Sequence, residues 1–305
     1  MLEMVSVIMC TYNEPIEVID ASIKSILNQS YENIQLIIIN DNPDRLEMAK
    51  YLNDLSVNNH MIEYIKNEEN IGLVRSLNRG LLKAKGEYIA RMDADDISNT
   101  NRIKEQVTFL KKNNCDIVGS NVITIDEDNN IIGKIIVPTK HKDILKFYNY
   151  GSCMLHPTWL GKRNVFENLN GYRNIYSCED YDFIMRAIEK GYHLGNVPDF
   201  LLKYRVRNSG ISVSSEAQQR LTRYFIKKNR DNINELSISD FELFLNSKFY
   251  NKELAKINKY IEIKNSFKKS KQIKFINMIS LIFNKYFYIS IRDTMKAKHR
   301  KKYSL

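Results

Sequence analysis

The first hundred residues are constrained above all by four short runs of strand-forming residues, each separated from the next by a stretch with helical spacing. Val5–Cys10 and Ile34–Ile39 are apolar almost throughout, the pattern of strands buried on both faces. Met61–Ile65 and Glu87–Met92 supply the third and fourth strands. Between them, residues 15–29 place Ile16, Ile19, Ile23, Ile26 and Leu27 on one helical face, and residues 45–55 and 73–84 continue as helices, the latter closed by Gly86. A helix over 101–113, a strand at 116–119 and a hairpin over 121–136 follow. Strands and helices in alternation predict an α/β fold, a mostly parallel sheet flanked by helices.

In such sheets ligands bind beyond the carboxyl ends of the strands. There the chain sets polar residues: Thr11-Tyr12-Asn13-Glu14, then Asp41 in the turn Asn40-Asp41-Asn42-Pro43-Asp44, then Asp93-Ala94-Asp95-Asp96. Beyond about residue 215 the character changes. Glu216–Asn229, Ser239–Lys264 and the segment from Lys274 onward are helical in pattern, rich in Lys and Asn and short of Gly and Pro. We therefore expect a catalytic domain over 1–215 and a helical, basic C-terminal region over 216–305.

The charge is divided the same way. The net charge is +10, yet residues 264–305 hold twelve Lys/Arg against the single acid Asp293, so the remainder is close to neutral. Any polyanionic partner is to be sought in that tail. Cys10, Cys115, Cys153 and Cys178 form no CxxC pair, which argues against a zinc site or a disulfide scaffold and favours a reducing, cytoplasmic setting. The N-terminus lacks the pattern of a signal peptide. The longest apolar approach, Phe275–Ile291, is broken by Asn277, Asn284 and Lys285 and is no membrane span.

Two carboxylates at i and i+2 after a strand, with a third adjacent, offer hard oxygen ligands suited to Mn²⁺ or Mg²⁺ on a substrate diphosphate. A solvated turn with helix-capping aspartates is the other reading. Glu179-Asp180, just before a helix expected over Phe183–Lys190, can likewise be N-capping or can supply a general base.

Taken together these residues resemble family 2 glycosyltransferases. Ser6–Glu14, Asp41, Asn70-Ile71-Gly72 with Leu77-Asn78-Arg79-Gly80, Ala84–Ala90, Asp93-Ala94-Asp95-Asp96, His156-Pro157, Gly171-Tyr172 and Glu179-Asp180 occur in that family's order over about residues 4–212. The resemblance implies a GT-A fold, a UDP-sugar donor, a divalent metal and inversion at the anomeric carbon. It implies Thr11, Tyr12 and Glu14 in the nucleotide pocket, Asp41 on the uracil, and Arg75 and Asn78 near the diphosphate or base. Asp93 and Asp95 bracket ribose and metal, with Asp95 the direct ligand and Asp96 close by, and Asp180 is the base. Glu179, His156 and Trp159 fall on the acceptor side, where the two aromatic rings can equally be structural. The family often carries Tyr-Arg-x-His near the domain's end. Here Tyr204-Arg205-Val206-Arg207 puts an arginine in place of the histidine, which cannot ligate a metal but can grip phosphate.

The resemblance, together with the tail, also implies a glycan acceptor on a lipid carrier in O-antigen, capsule or exopolysaccharide synthesis. The basic, aromatic tail 264–305 suits an anionic membrane surface, placing the enzyme at the inner face of the cytoplasmic membrane, or else a helix pair packed on the protein. No nucleic-acid motif accompanies it. A nucleotidyltransferase, or an inactive sugar-nucleotide scaffold, are the alternatives.

Overall fold

The computed structural model describes residues 2–148, 151–175, 177–207, 215–270 and 286, the side chains of 266–270 excepted. The chain divides into two compact units, Met1–Asn174 with Glu179–Gly210, and Ile175–Cys178 with Ile211–Leu305.

The first unit is built on one sheet. Its elements are β1 (Val5–Thr11), α1 (Ile16–Leu27), β2 (Ile34–Asn40), α2 (Leu46–Asn58), β3 (Ile62–Lys66), α3 (Leu73–Lys83), β4 (Tyr88–Asp93), β5 (Ile97–Ser98), α4 (Arg102–Lys112), β6 (Ile117–Ile125), β7 (Ile131–Ile135), α5 (His141–Tyr148), β8 (Leu160–Lys162), α6 (Arg163–Asn168), α7 (Glu179–Glu189) and β9 (Leu194–Arg205). Strand order is β3-β2-β1-β4-β8-β6-β9-β5, with β7 hydrogen-bonded to β6. The first four strands run parallel, β8 is antiparallel to both β4 and β6, and β6 and β9 are again parallel.

Val7, Ile37, Ile38 and Ala90 have no exposed surface, as their unbroken apolar runs require. Each buried Val or Ile side chain of this set contributes roughly 1.5–3 kcal/mol by leaving water. Gly80 lets α3 lie close on the sheet: a Cβ there would stand 2.6 Å from Ile8 Cγ2 and 3.0 Å from Ile39 Cδ1. Helices thus cover the sheet while the strand ends stay free for polar residues.

The second unit contains α8 (Glu216–Lys228), α9 (Ile238–Leu245) and α10 (Lys248–Ser270). The single helix expected over 239–264 is two, because Ser247 caps a new one: its Oγ accepts from Tyr250 N at 3.1 Å and donates to Phe244 O at 2.7 Å. Ser237 opens α9 with a capping box to Asp240. Ala217, Leu221, Tyr250, Ile257, Tyr260 and Ile263 form this unit's core, joined by Tyr286. Apart from residues 264 and 265, the backbone of 266–270 and Tyr286, the basic tail lies outside the described residues, so the expected membrane-facing helix does too. Tyr286 itself is buried and donates to Glu253 Oε2 at 2.5 Å. No helix among the described residues is long and apolar enough to cross a membrane.

Candidate active site

The site assembles at the carboxyl ends of β1, β2 and β4. At the end of β1, Thr11 Oγ1 and Tyr12 N both donate to Glu14 Oε2, at 2.7 and 2.8 Å, folding the polar turn onto itself. Thr11 is buried, whereas Tyr12 is 43% exposed and free to stack on a flat ligand. Arg45 Nη1 holds the turn from outside through Glu14 O at 2.7 Å.

Asp41, after β2, is buried and fully engaged. Its Oδ1 accepts from Asn67 Nδ2 at 2.6 Å and Ile71 N at 2.9 Å, and its Oδ2 accepts from Gly72 N at 2.9 Å. The carboxylate therefore sits at the start of α3, where the helix dipole favours negative charge. Asn67, unsuspected from the sequence, is the hub of this corner: it also donates to Ser76 Oγ at 2.9 Å and accepts from Arg79. Arg75 is exposed on the first turn of α3. Both ends of the Asn78 side chain are engaged within the fold. Its amide donates to Tyr172 O at 2.8 Å and its carbonyl accepts from Tyr172 N at 2.9 Å, so it fastens α3 to the Gly171-Tyr172 turn.

The three acids after β4 part company. Asp93 is ion-paired with Arg91, a buried arginine on β4. Asp95 pairs with Arg207, Nε to Oδ2 at 2.9 Å. Burial, with the charge of Asp93 behind it, pushes the Asp95 carboxyl up to about 6. Asp96 has no exposed surface to offer a donor. Its Oδ1 accepts from Arg205 N at 2.8 Å, its Oδ2 has no partner among the described residues, and burial first, then Asp93 and Asp95, raises it well above the carboxylate range. Its place in the donor site is corrected to one beneath it.

Asp93 and Asp95 fit a divalent cation: two hard oxygen donors, partly open, whose mutual repulsion a cation relieves. Among the described residues no group of three or more His, Cys, Asp or Glu is placed to hold a metal. A cation here would therefore complete its shell with water and phosphate oxygens, as Mg²⁺ commonly does.

Glu179 and Asp180 lie inside the first turn of α7, which begins four residues earlier than the sequence suggests. The start is fixed from below by Asp182, wholly buried, which binds Arg173 and, through Oδ2, Arg186 Nε at 2.8 Å. Asp180 Oδ1 accepts from Tyr181 N at 2.6 Å. The Glu179 carboxyl is pushed up to about 7, by burial first and the Asp180 charge next, and Asp93 adds to the rise.

The aromatic residues assigned to the acceptor are structural. Trp159 is 0% exposed and packs against Phe183 with ring centroids 5.7 Å apart, so no sugar can stack on it. His156 is buried, its Nε2 2.9 Å from Tyr172 Oη, and burial then Arg91 hold it well below the usual histidine range. Both were drawn into the core by the turn His156–Thr158 that precedes β8.

Among residues the sequence reading missed, Arg91 had a signal, a charge inside a strand pattern otherwise apolar. Arg102, buried in α4, donates to Arg91 O at 2.6 Å, and burial lowers it to about 10. Nothing local in the sequence distinguishes it.

The family model for glycosyl transferase family 2 matches residues 6–169, the span that carries β1, the Asp41 corner and the acids after β4. The chain belongs to that family. As a family 2 glycosyltransferase it is 35% identical over 228 residues to the uncharacterized glycosyltransferase MJ1057 of Methanocaldococcus jannaschii, covering 74% of this chain and 78% of that protein. It is 32% identical over 230 residues to the O-antigen biosynthesis glycosyltransferase WbnJ of Escherichia coli, covering 74% of this chain and 89% of WbnJ. The fold is shared with S. aureus TarS 1-349, solved in complex with UDP-GlcNAc, at a TM-score of 0.60 and 18% identity over 91% of this chain and 78% of that one. The chain spans 47% of the longer TarS chain. That architecture is the GT-A fold, and membership sets the nucleotidyltransferase alternative aside.

Proposed function

We propose that this glycosyltransferase moves a hexose or N-acetylhexosamine from a UDP-sugar to an acceptor hydroxyl with inversion, assisted by Mn²⁺ or Mg²⁺. The acceptor is a lipid-linked oligosaccharide of O-antigen, capsule or exopolysaccharide synthesis, met at the inner face of the cytoplasmic membrane. One observation carries the chemistry: the half-open acids Asp93 and Asp95 after β4 lie at the same carboxyl edge of the sheet as the Thr11–Glu14 turn and the Asp41 corner. The likeness to WbnJ supports the surface-glycan setting.

Inversion by single displacement needs two things at once, relief of charge on the leaving diphosphate and removal of a proton from the incoming hydroxyl. Asp93 and Asp95 would hold the cation, which supplies Lewis-acid neutralisation of the diphosphate when bound. Tyr12 stacks on the base, Glu14 keeps its turn in shape, and Asp41 with Asn67 fixes the corner under it. Asp180 takes the acceptor's proton. Glu179 beside it keeps its own proton to about pH 7, which limits the negative charge facing the acceptor. Basic residues 264–305 would add attraction to anionic lipid.

The experiment is a screen of UDP-, GDP- and dTDP-sugars for binding and for hydrolysis with and without Mn²⁺. We expect turnover of a UDP-sugar that EDTA stops. Equal turnover in EDTA, or preference for another base, would overturn the metal or the donor assignment respectively.

A further inference from the structure

Arg207 stands where its charge decides what else can approach Asp95. The backbone that carries it is fixed two residues earlier. Arg205 donates its main-chain N–H to Asp96 Oδ1 at 2.8 Å and its Nε to Asp95 O at 2.9 Å. Its Nη1 reaches Asp126 O at 2.7 Å and Glu127 O at 3.0 Å, and its Nη2 reaches Asn129 Oδ1 at 2.7 Å. Val206 N is bonded to Ile125 O at 2.9 Å. Strand end, acidic loop and β6–β7 turn are therefore tied together, and the half-buried Arg207 side chain is the part left to move.

The local charges balance as they stand, Asp93 against Arg91 and Asp95 against Arg207. A divalent cation arriving alone at Asp95 would meet the guanidinium already paired with its Oδ2, and two like charges would then crowd one half-buried space. A cation arriving with a diphosphate changes this. Diphosphate brings compensating negative charge and gives the planar guanidinium a bidentate partner at least as good as the carboxylate it leaves. We propose, building on the glycosyltransferase reading above, that Arg207 is a stand-in cation: it holds Asp95 in the free protein and yields it to the divalent ion only when the donor's diphosphate becomes its new partner. Cation and nucleotide then favour each other's binding by one common factor. The histidine-to-arginine departure at this position makes the acidic site conditional on donor, and protects it from filling with an ion that has no substrate to act on.

The test uses the full chain, with Mn²⁺ followed by electron paramagnetic resonance and UDP by calorimetry. In the wild type, UDP should tighten Mn²⁺ binding by at least about 5-fold. Arg207→Gln should bind Mn²⁺ alone at least about 5-fold tighter than wild type, bind UDP with Mn²⁺ more weakly, and lose most of the coupling. Arg207→Lys keeps the charge but not the fork, so Mn²⁺ alone should bind as in wild type while UDP with Mn²⁺ weakens. Thermal unfolding checks that each variant is folded, and the lysine variant still decides the matter if the glutamine variant is not. Unchanged or weaker Mn²⁺ binding in Arg207→Gln overturns the competition. A wild type that binds no UDP, with or without Mn²⁺, overturns this proposal and the donor assignment together. UDP binding that no Arg207 variant alters overturns this proposal alone.

Discussion

Asn78 grips the backbone of Tyr172 from both sides, donating to its carbonyl at 2.8 Å and accepting from its N–H at 2.9 Å. Tyr172 in turn reaches His156 through its hydroxyl at 2.9 Å, so α3 is joined to the turn ahead of β8 through one residue. Losing two such bonds, with a backbone pair left unsatisfied, costs about 1–3 kcal/mol. Asn78→Ala should lower the urea midpoint accordingly while UDP affinity changes little. Stability untouched and UDP binding lost would return Asn78 to the donor pocket.

Asp95→Ala should abolish cation-dependent turnover of a UDP-sugar and leave the fold intact, since the carboxylate is half-buried and its partner Arg207 can turn to solvent. Circular dichroism and turnover with and without EDTA check this. Cation-dependent turnover that survives in the variant would sink the ligand role.

Asp180→Asn keeps the shape of the α7 start but cannot take a proton. Donor binding should persist while sugar transfer slows by at least about 10²-fold. Normal transfer with weakened donor binding would make Asp180 a binding residue instead.

Glu179 gives a pH signature whose sign is fixed. Its folded carboxyl holds a proton up to about 7, against 4.5 when free. Between those values the folded state binds more protons than the unfolded one, so the Glu179 contribution to stability falls as pH rises through the window and is fully lost above it. Glu179→Gln should flatten that part of the stability profile measured by urea unfolding from pH 4 to 8. An unaltered profile would mean the burial is relieved in solution.

The tail can be tested without disturbing the helical core that Tyr286 joins. Replacing Lys298, Arg300, Lys301 and Lys302 by Gln removes four positive charges, each worth about 1 kcal/mol beside an anionic bilayer. Binding to phosphatidylglycerol vesicles should drop sharply, and wild-type binding should fade as salt shortens the Debye length. An intact protein that ignores such vesicles at low salt would remove the membrane from the account. Deleting residues 264–305 is the poorer experiment, because it also strips Tyr286 from Glu253.

The four parallel strands and their helices were legible because β-branched runs such as Ile34–Ile39 have few other ways to bury both faces. The short antiparallel β8 was not, since Leu160–Lys162 is three residues whose pairing depends on distant β4 and β6. Site acids could be located by their place after strands, but not sorted. Asp93, Asp95 and Asp96 look alike in sequence, and only the fold gives one to Arg91, one to Arg207 and one to the backbone of Arg205. Trp159 and His156 could be left only between acceptor and core for a related reason: an aromatic residue reads equally as stacking surface or packing, and the rings that settle it, Tyr172 and Phe183, converge from separate elements.

The Asp41 corner has a consequence for anyone redesigning such an enzyme. The same carboxylate that family likeness assigns to the nucleobase also braces Asn67, Ile71 and Gly72 at the start of α3. Selectivity and scaffold are vested in one side chain, so a library randomised at Asp41 to change the accepted nucleotide would return mostly collapsed corners. Variation is better spent on Tyr12, exposed beside it, where a new contact can be tried without loosening the start of α3.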